Sequence, residues 1–272
     1  MSVETRAGNS GKSGPYEAFV AEYYDYLLPV SGRQDIEFFC RKADQQGGPI
    51  LELGCGTGRV LLALARAGHR IAGLDLSAAM LNQCRKKLQS ESPGVRERVR
   101  LILGDMAEFD AGEKFQLILI PFRPFQHLLS VEQQMGCLSC VRRHLAPQGQ
   151  LILDVFHTDP RRMSDPAFLE ESSPYPEVAL PDGRRLRLSE RIAGFHRAEQ
   201  INDVEMFYNI THPDGRRERL VFAFRLRYFF RYEIEHLLAR CGFVVKELFG
   251  NYDGQPLEAD SPEMVFVSQV QT

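Results

Sequence analysis

Residues 50 to 58, Ile-Leu-Glu-Leu-Gly-Cys-Gly-Thr-Gly, set one carboxylate, Glu52, beside three closely spaced glycines, Gly54, Gly56 and Gly58. Only glycine lets a backbone turn this tightly and come close to a ligand. The chemistry on offer is the binding of a nucleotide-like molecule at the end of a strand. Two more carboxylates follow apolar runs: Asp75 in IAGLDLS and Asp105 in LILGDM. An acid about twenty residues after such glycines is where a nucleoside ribose receives its hydroxyl contacts. Further on, Pro-Phe-Arg-Pro-Phe-Gln-His (121 to 127) carries His127, whose imidazole titrates near neutrality and can take a proton from an ammonium or hydroxyl group. Arg123, His157 and Tyr252 compete for that role. Each residue also has a structural reading: a plain turn at the glycines, a helix N-terminal charge at Asp75, a Gly-Asp turn at Asp105, and a loop hydrogen bond at His127.

The spacing narrows the ligand. Dinucleotide sites need G-x-G-x-x-G, and here the third glycine is one position early, followed by Arg59. Phosphate loops need G-x-x-x-x-G-K-[ST], and no lysine follows these glycines.

The elements that must position these residues alternate along the chain. Ile50 to Leu53 is bounded by the Gly47-Gly48-Pro49 breaker and reads as a buried parallel strand, with Arg59 to Ala67 as the following helix. Arg70 to Leu74 is a second strand, after which Ser77 caps a helix bearing Met80, Leu81, Cys84 and Leu88 on one face. Val99 to Leu103 and Phe115 to Ile120 are the third and fourth strands. Val131 to Leu145 is an amphipathic helix with Val131, Met135, Leu138, Val141 and Leu145 inward, and Gln150 to Phe156 is the fifth strand. This alternation predicts an α/β fold with a doubly wound, Rossmann-like sheet.

The sequence E-x-G-x-G-x-G, matched by Glu52, Gly54, Gly56 and Gly58, resembles motif I of the class I S-adenosylmethionine (SAM)-dependent methyltransferases. The resemblance covers residues 16 to 270 and is closest to bacterial small-molecule enzymes with an inserted β-sheet, such as sugar N-methyltransferases. It implies a seven-stranded sheet ending in an antiparallel pair, here Phe243 to Leu248 and Glu263 to Val270. It implies SAM as methyl donor and S-adenosylhomocysteine (SAH) as product. It places Asp75 on the ribose, Asp105 on the adenine amino group and Met106 over the ring, with further cofactor contacts at Cys55, Leu76 and Pro121. A Tyr-Asp segment before the first strand would close over the cofactor, so Tyr24 and Tyr26 are lid residues or, equally, core packing. The loop after the fourth strand lacks the [DNSH]-P-P-[FYW] of nucleobase amino-methyltransferases, the Pro-Cys of cytosine-carbon enzymes and the carboxylate of metal-assisted ones. The expected function is therefore methyl transfer to an N or O atom of a small-molecule acceptor, with His127 as base and no metal. A SAM-binding regulator without turnover and a nicotinamide-dependent oxidoreductase are the alternatives.

Composition bounds the rest. With 44% hydrophobic and 25% charged residues, the 272-residue chain is ordinary for a globular protein, and no apolar run approaches a membrane span. The expectation is a cytoplasmic protein without membrane contact. A net charge of −3 gives no drive towards nucleic acid. Six cysteines without an export signal point to reduced thiols, and Cys137 and Cys140, in a helix pattern without a second pair, to packing. Residues 1 to 14, polar and Gly/Ser-rich, read as a flexible leader; 15 to 156 as the SAM-binding domain; 157 to 230 as an inserted antiparallel subdomain; and 231 to 272 as the completion of the α/β domain. From Arg184 the apolar period becomes two, and His212 to Gly215 forms a turn between two strands. Eleven arginines face six acids between 184 and 231, which suits either an anionic substrate or solvated edge strands. Both faces of this sheet carry apolar residues, so it is expected to wall the acceptor pocket or to contact a second copy in a homodimer.

Overall fold

The computed structural model describes residues 3–7, 18–27 and 34–271, with the backbone alone for 3–7. The chain divides into two compact units, Gln34–Thr158 with Tyr228–Thr272, and Met1–Arg33 with Asp159–Arg227.

Strand β1 (Val3–Ala7) and helix α1 (Ala18–Tyr23) belong to the smaller unit. The larger unit holds α2 (Ile36–Gln46), β2 (Ile50–Leu53), α3 (Arg59–Arg66), β3 (Ile71–Asp75), α4 (Ala78–Gln89), α5 (Pro93–Arg98), β4 (Val99–Leu103), β5 (Phe115–Ile120), α6 (Val131–His144) and β6 (Leu145–Phe156). After the smaller unit's β7 (Val178–Ala179), β8 (Arg185–His196), β9 (Ile201–Thr211) and β10 (Arg217–Arg227) come α7 (Arg231–Arg240), β11 (Phe243–Phe249) and β12 (Glu263–Val270). The seven-stranded sheet runs β4-β3-β2-β5-β6-β12-β11. The five strands β2 to β6 are parallel, and β12 and β11 complete the sheet antiparallel.

Alternation along these strands sorts the core into two layers. Leu51, Leu53, Ile118, Ile120, Leu151 and Leu153 pack one face with Leu138 and Val141 of α6 and Ile234 and Leu238 of α7. Ile50, Ile71, Leu117, Leu119 and Ile152 pack the other with Phe38 and Phe39 of α2, Leu61 and Leu64 of α3 and Leu81 of α4. Both faces are covered, which is why the strands read as nearly continuous apolar runs. Each fully buried aliphatic side chain contributes roughly 1.5 to 3 kcal/mol. Ser77 caps α4, its hydroxyl accepting from the Met80 amide at 3.2 Å, and Ser130 and Gln133 form a reciprocal capping box on α6. That cap turns Val131 outward to 39% exposure, against the inward position expected of it, and the buried stripe of α6 begins at Gln134. Cys137 is buried, as its packing reading requires.

The smaller unit is the antiparallel insertion expected after the fifth parallel strand, with β1 added: its sheet runs β1-β10-β9-β8-β7, and β1 pairs parallel with β10. A strand at 3–7 differs from the leader expected over 1 to 14, of which residues 1–2 and 8–14 lie outside the described residues. Residues 18–27 also differ from the expectation, since they group with the inserted sheet instead of the α/β domain. The cause is aromatic: Phe19 and Tyr23 pack on the fully buried Tyr208 of β9, with ring centroids 5.5 and 6.2 Å away. Leu220 and Phe222 alternate with Val221 along β10 and all three are buried, so both faces of this sheet are apolar. Arg184, Arg185, Arg187, Arg191, Arg219 and Arg225, six of the ten arginines from 184 to 227, each pair with a carboxylate, so more than half of the positive charge here is neutralised locally. No described helix is long and apolar enough to cross a membrane.

Candidate active site

The strand order reverses at β2, where β3 lies on one side and β5 on the other. In open α/β sheets the crevice beyond the strand ends at such a point is where ligands bind. Two chain segments leave the sheet there: the glycine loop after β2, and residues 121–127 after β5.

All three glycines of the loop have positive φ, at 70°, 55° and 85° for Gly54, Gly56 and Gly58. Their surroundings differ. A Cβ on Gly54 would sit 2.6 Å from Pro124 Cβ, and one on Gly58 would sit 2.5 Å from Cys84 Sγ. A Cβ on Gly56 would meet nothing within 4 Å. Gly54 and Gly58 are therefore required by the protein's own packing, whereas Gly56 opens onto space that a ligand can use.

Asp75 ends β3 and is fastened to this loop. Its Oδ2 accepts from the Gly56 amide and its Oδ1 from the Ser77 amide, each at 2.8 Å. Burial pushes its carboxyl up, and the two amide hydrogen bonds pull it back down. Glu52, 2% exposed, lies two residues before the glycines, and its Oε2 has no hydrogen-bond partner. Burial pushes its carboxyl up to about 8, against the opposing Arg59 charge and with Asp35 and Asp75 adding to the rise. Arg59, directly after Gly58, is gripped by both oxygens of the fully buried Asp35 at the start of α2, at 2.5 and 2.8 Å.

The apolar candidates flank these carboxylates in sequence. Cys55 and Pro121 are buried, Leu76 is 39% exposed, and Met106 is half-buried, its Cε 3.6 Å from the Cβ position of Gly54. Asp105 is exposed and accepts from the Ala107 amide at 2.8 Å, the turn geometry of its structural reading. Tyr24 lies in the 3-10 turn Tyr24–Tyr26 of the smaller unit.

The segment after β5 is built on polar groups that the sequence reading passed over. Phe122 and Arg123 both have positive φ, and their amides donate to Asp154 of β6. The Arg123 guanidinium pairs with the buried Glu263 of β12 and lies 3.4 Å from the Phe156 ring centroid. Gln126, fully buried, accepts from the Phe156 amide at 3.0 Å. Tyr252 donates its hydroxyl to Asp154, and His157 Nδ1 lies 2.9 Å from the Ser261 carbonyl. Arg123, His157 and Tyr252, the competing candidates for the base, thus have the structural partners just named. His127 is half-buried in the 3-10 turn Pro124–His127, whose first residue packs on Gly54. The signals for the unforeseen residues were present: Asp154 is a lone charge inside the apolar run QLILDVF, and Asp35 precedes a helix.

Residues 50–149 match the family model described as Methyltransferase domain. The cypemycin N-terminal methyltransferase of Streptomyces sp is 27% identical over 94% of this chain and 98% of its own length. The dTDP-3-amino-3,6-dideoxy-alpha-D-glucopyranose N,N-dimethyltransferase of Streptomyces fradiae is 23% identical over 94% of this chain and 97% of its own. The solved glycopeptide N-methyltransferase MtfA, complexed with sinefungin, superposes with a TM-score of 0.55 at 26% identity, over 88% of this chain and 94% of that one. With motif I in the glycine loop at the switch point of a seven-stranded sheet, this chain is a class I SAM-dependent methyltransferase.

Proposed function

We propose that the enzyme methylates an amine nitrogen of a small-molecule acceptor. The observation that carries this reading is the open face of Gly56 beside the amide-held carboxylate of Asp75, a pocket floor that fits a nucleoside carrying a positive charge. Bound SAM supplies an electrophilic methyl group on a sulfonium. The residues present fit it: Gly54, Gly56 and Gly58 give close backbone approach, and Asp75 keeps lone pairs for ribose hydroxyls. The unpartnered Glu52 Oε2 is an acceptor for a cationic group. Cys55, Leu76, Asp105, Met106 and Pro121 supply the adenine end and the apolar walls.

On the acceptor side His127 takes the proton that the nitrogen loses on methylation. Its support is position, in the turn that Pro124 presses against Gly54. Most of the acceleration then comes from holding nitrogen and methyl in line in a dry site. The relatives named above support an amine: one acts on a peptide N-terminus, one on an amino sugar and one on a glycopeptide nitrogen.

The test is a panel of amino sugars and short peptides with free N-termini, each beside its hydroxyl counterpart, incubated with SAM and read by mass spectrometry and SAH formation. One added methyl on amines and none on their hydroxyl counterparts is expected; methylation of hydroxyls alone overturns the reading. With the acceptor in hand, His127→Gln is expected to lower kcat by ~10²-fold or more at unchanged SAM affinity. Wild-type turnover would remove His127 from the chemistry.

A further inference from the structure

The segment from Phe122 to Arg123 holds two consecutive non-glycine residues in the left-handed region, at φ 65° and 68°. That conformation is costly for any residue with a Cβ and persists only where its surroundings over-determine it. Here the determining group is Asp154 of β6, 1% exposed. Its Oδ2 accepts from the Phe122 amide at 2.9 Å and its Oδ1 from the Arg123 amide at 2.7 Å.

A third donor reaches the same carboxylate from far along the chain. The Tyr252 hydroxyl, in the loop between β11 and β12, donates to Oδ2 at 2.5 Å. The Tyr252 ring packs against Phe38 and Phe39 of α2, with centroids 5.7 and 5.8 Å away. Asp35, at the start of α2, holds Arg59 immediately after the glycine loop. One buried carboxylate and one phenol therefore join the segment after β5 to the helix that anchors the cofactor loop. A carboxylate placed here only to fill the core would be a poor choice, because burying a charge is costly unless it is fully hydrogen-bonded. Its bonds are spent on the two amides of the left-handed turn.

We propose that Asp154 and Tyr252 are positioning residues for methyl transfer. They hold residues 121–127, with Pro124 against Gly54 and His127 at the far end, in the pose that presents the acceptor to the methyl group. This rests on the reading that the segment after β5 lines the acceptor side.

The experiment uses two near-isosteric variants of the full chain, Tyr252→Phe and Asp154→Asn. Three readouts are taken: amide hydrogen exchange over 121–128 with 59–66 as internal reference, SAH affinity by calorimetry, and kcat and KM with an amine acceptor. Exchange over 121–128 is expected to rise about tenfold or more, with 59–66 unchanged. The expected kcat falls about tenfold in Tyr252→Phe and further in Asp154→Asn, with KM for SAM and SAH affinity held within a factor of about two. Unchanged exchange over 121–128 overturns the proposal, as does wild-type kcat in a variant with raised exchange. A loss of SAH affinity in step with kcat also overturns it, because a general structural role predicts that pattern. Should the wild-type enzyme methylate no amine, the acceptor reading fails by itself. The exchange and affinity readouts then decide: raised exchange at unchanged SAH affinity supports the proposal, and unchanged exchange overturns it.

Discussion

Alanine substitutions at Gly54 and Gly56 separate folding from binding within a single loop. Both positions have positive φ, so either alanine costs roughly 1 to 2 kcal/mol for the left-handed backbone alone. At Gly54 the new methyl would also lie 2.6 and 2.7 Å from Pro124 Cβ and Cγ, atoms of a rigid ring that cannot rotate away. Overpacking of that kind adds about 1 to 3 kcal/mol. Gly54→Ala should therefore lose roughly 2 to 5 kcal/mol of stability, and Gly56→Ala only roughly 1 to 2 kcal/mol. Binding should follow another order, because the Gly56 methyl projects into the open space proposed above to take the cofactor. Gly56→Ala is expected to weaken SAH by at least about tenfold, or ~1.4 kcal/mol, while staying folded. Urea unfolding without ligand measures the first quantity and calorimetric titration of SAH the second. Equal destabilisation by the two substitutions, or wild-type SAH affinity in Gly56→Ala, would refute the packing argument.

The raised Glu52 carboxyl makes stability depend on pH. Its value in the fold, about 8, exceeds its ordinary 4.5, so the native state holds this proton more tightly than the unfolded chain does. The resulting stability is fully present below about pH 4.5 and is lost as pH rises to about 8, by roughly 3 to 5 kcal/mol. Glu52→Gln should remove that slope from ligand-free unfolding curves, and an identical slope in both proteins would discard the assignment. Asp75→Ala removes the acceptor for the Gly56 and Ser77 amides and should weaken SAH by ~1 to 3 kcal/mol; calorimetry on the folded variant checks this. Cys40 and Cys241 are half-buried and the other four cysteines are buried, so a thiol reagent should modify Cys40 and Cys241 first. Rapid loss of all six thiols from the native protein would contradict that order.

The local signals read well because they depend on neighbours. Val99–Leu103, Phe115–Ile120 and Glu263–Val270 have the bounds that their apolar patterns predict, each being an unbroken strand between turn residues. The turn of the glycine loop and the place of Asp75 at a strand end were legible for the same reason, since neighbouring residues define both. The scaffold of the β5 segment was not. Arg123 meets Glu263, and Tyr252 meets Asp154, only after the sheet has brought distant strands together. No periodicity encodes such partners, although a lone Asp in QLILDVF marks where one must exist. The grouping of 18–27 with the inserted sheet was hidden similarly, because the aromatic run was compatible with either core and Tyr208 decides between them.

The interleaving of the two units along the chain constrains how the protein can be made and cut. The smaller unit draws on Met1–Arg33 and on Asp159–Arg227, and the larger unit on the stretch between them and on Tyr228–Thr272. A ribosome that has released the first parallel strands has therefore finished neither unit. The aromatic face of α1 waits for Tyr208, and the sheet waits for β12 to cover β6. Contacts that span so much sequence close late and slowly. No single cut yields either unit whole: a truncation before β12 leaves β6 with an open edge, and removal of the first 33 residues strips Tyr208 of its aromatic cover.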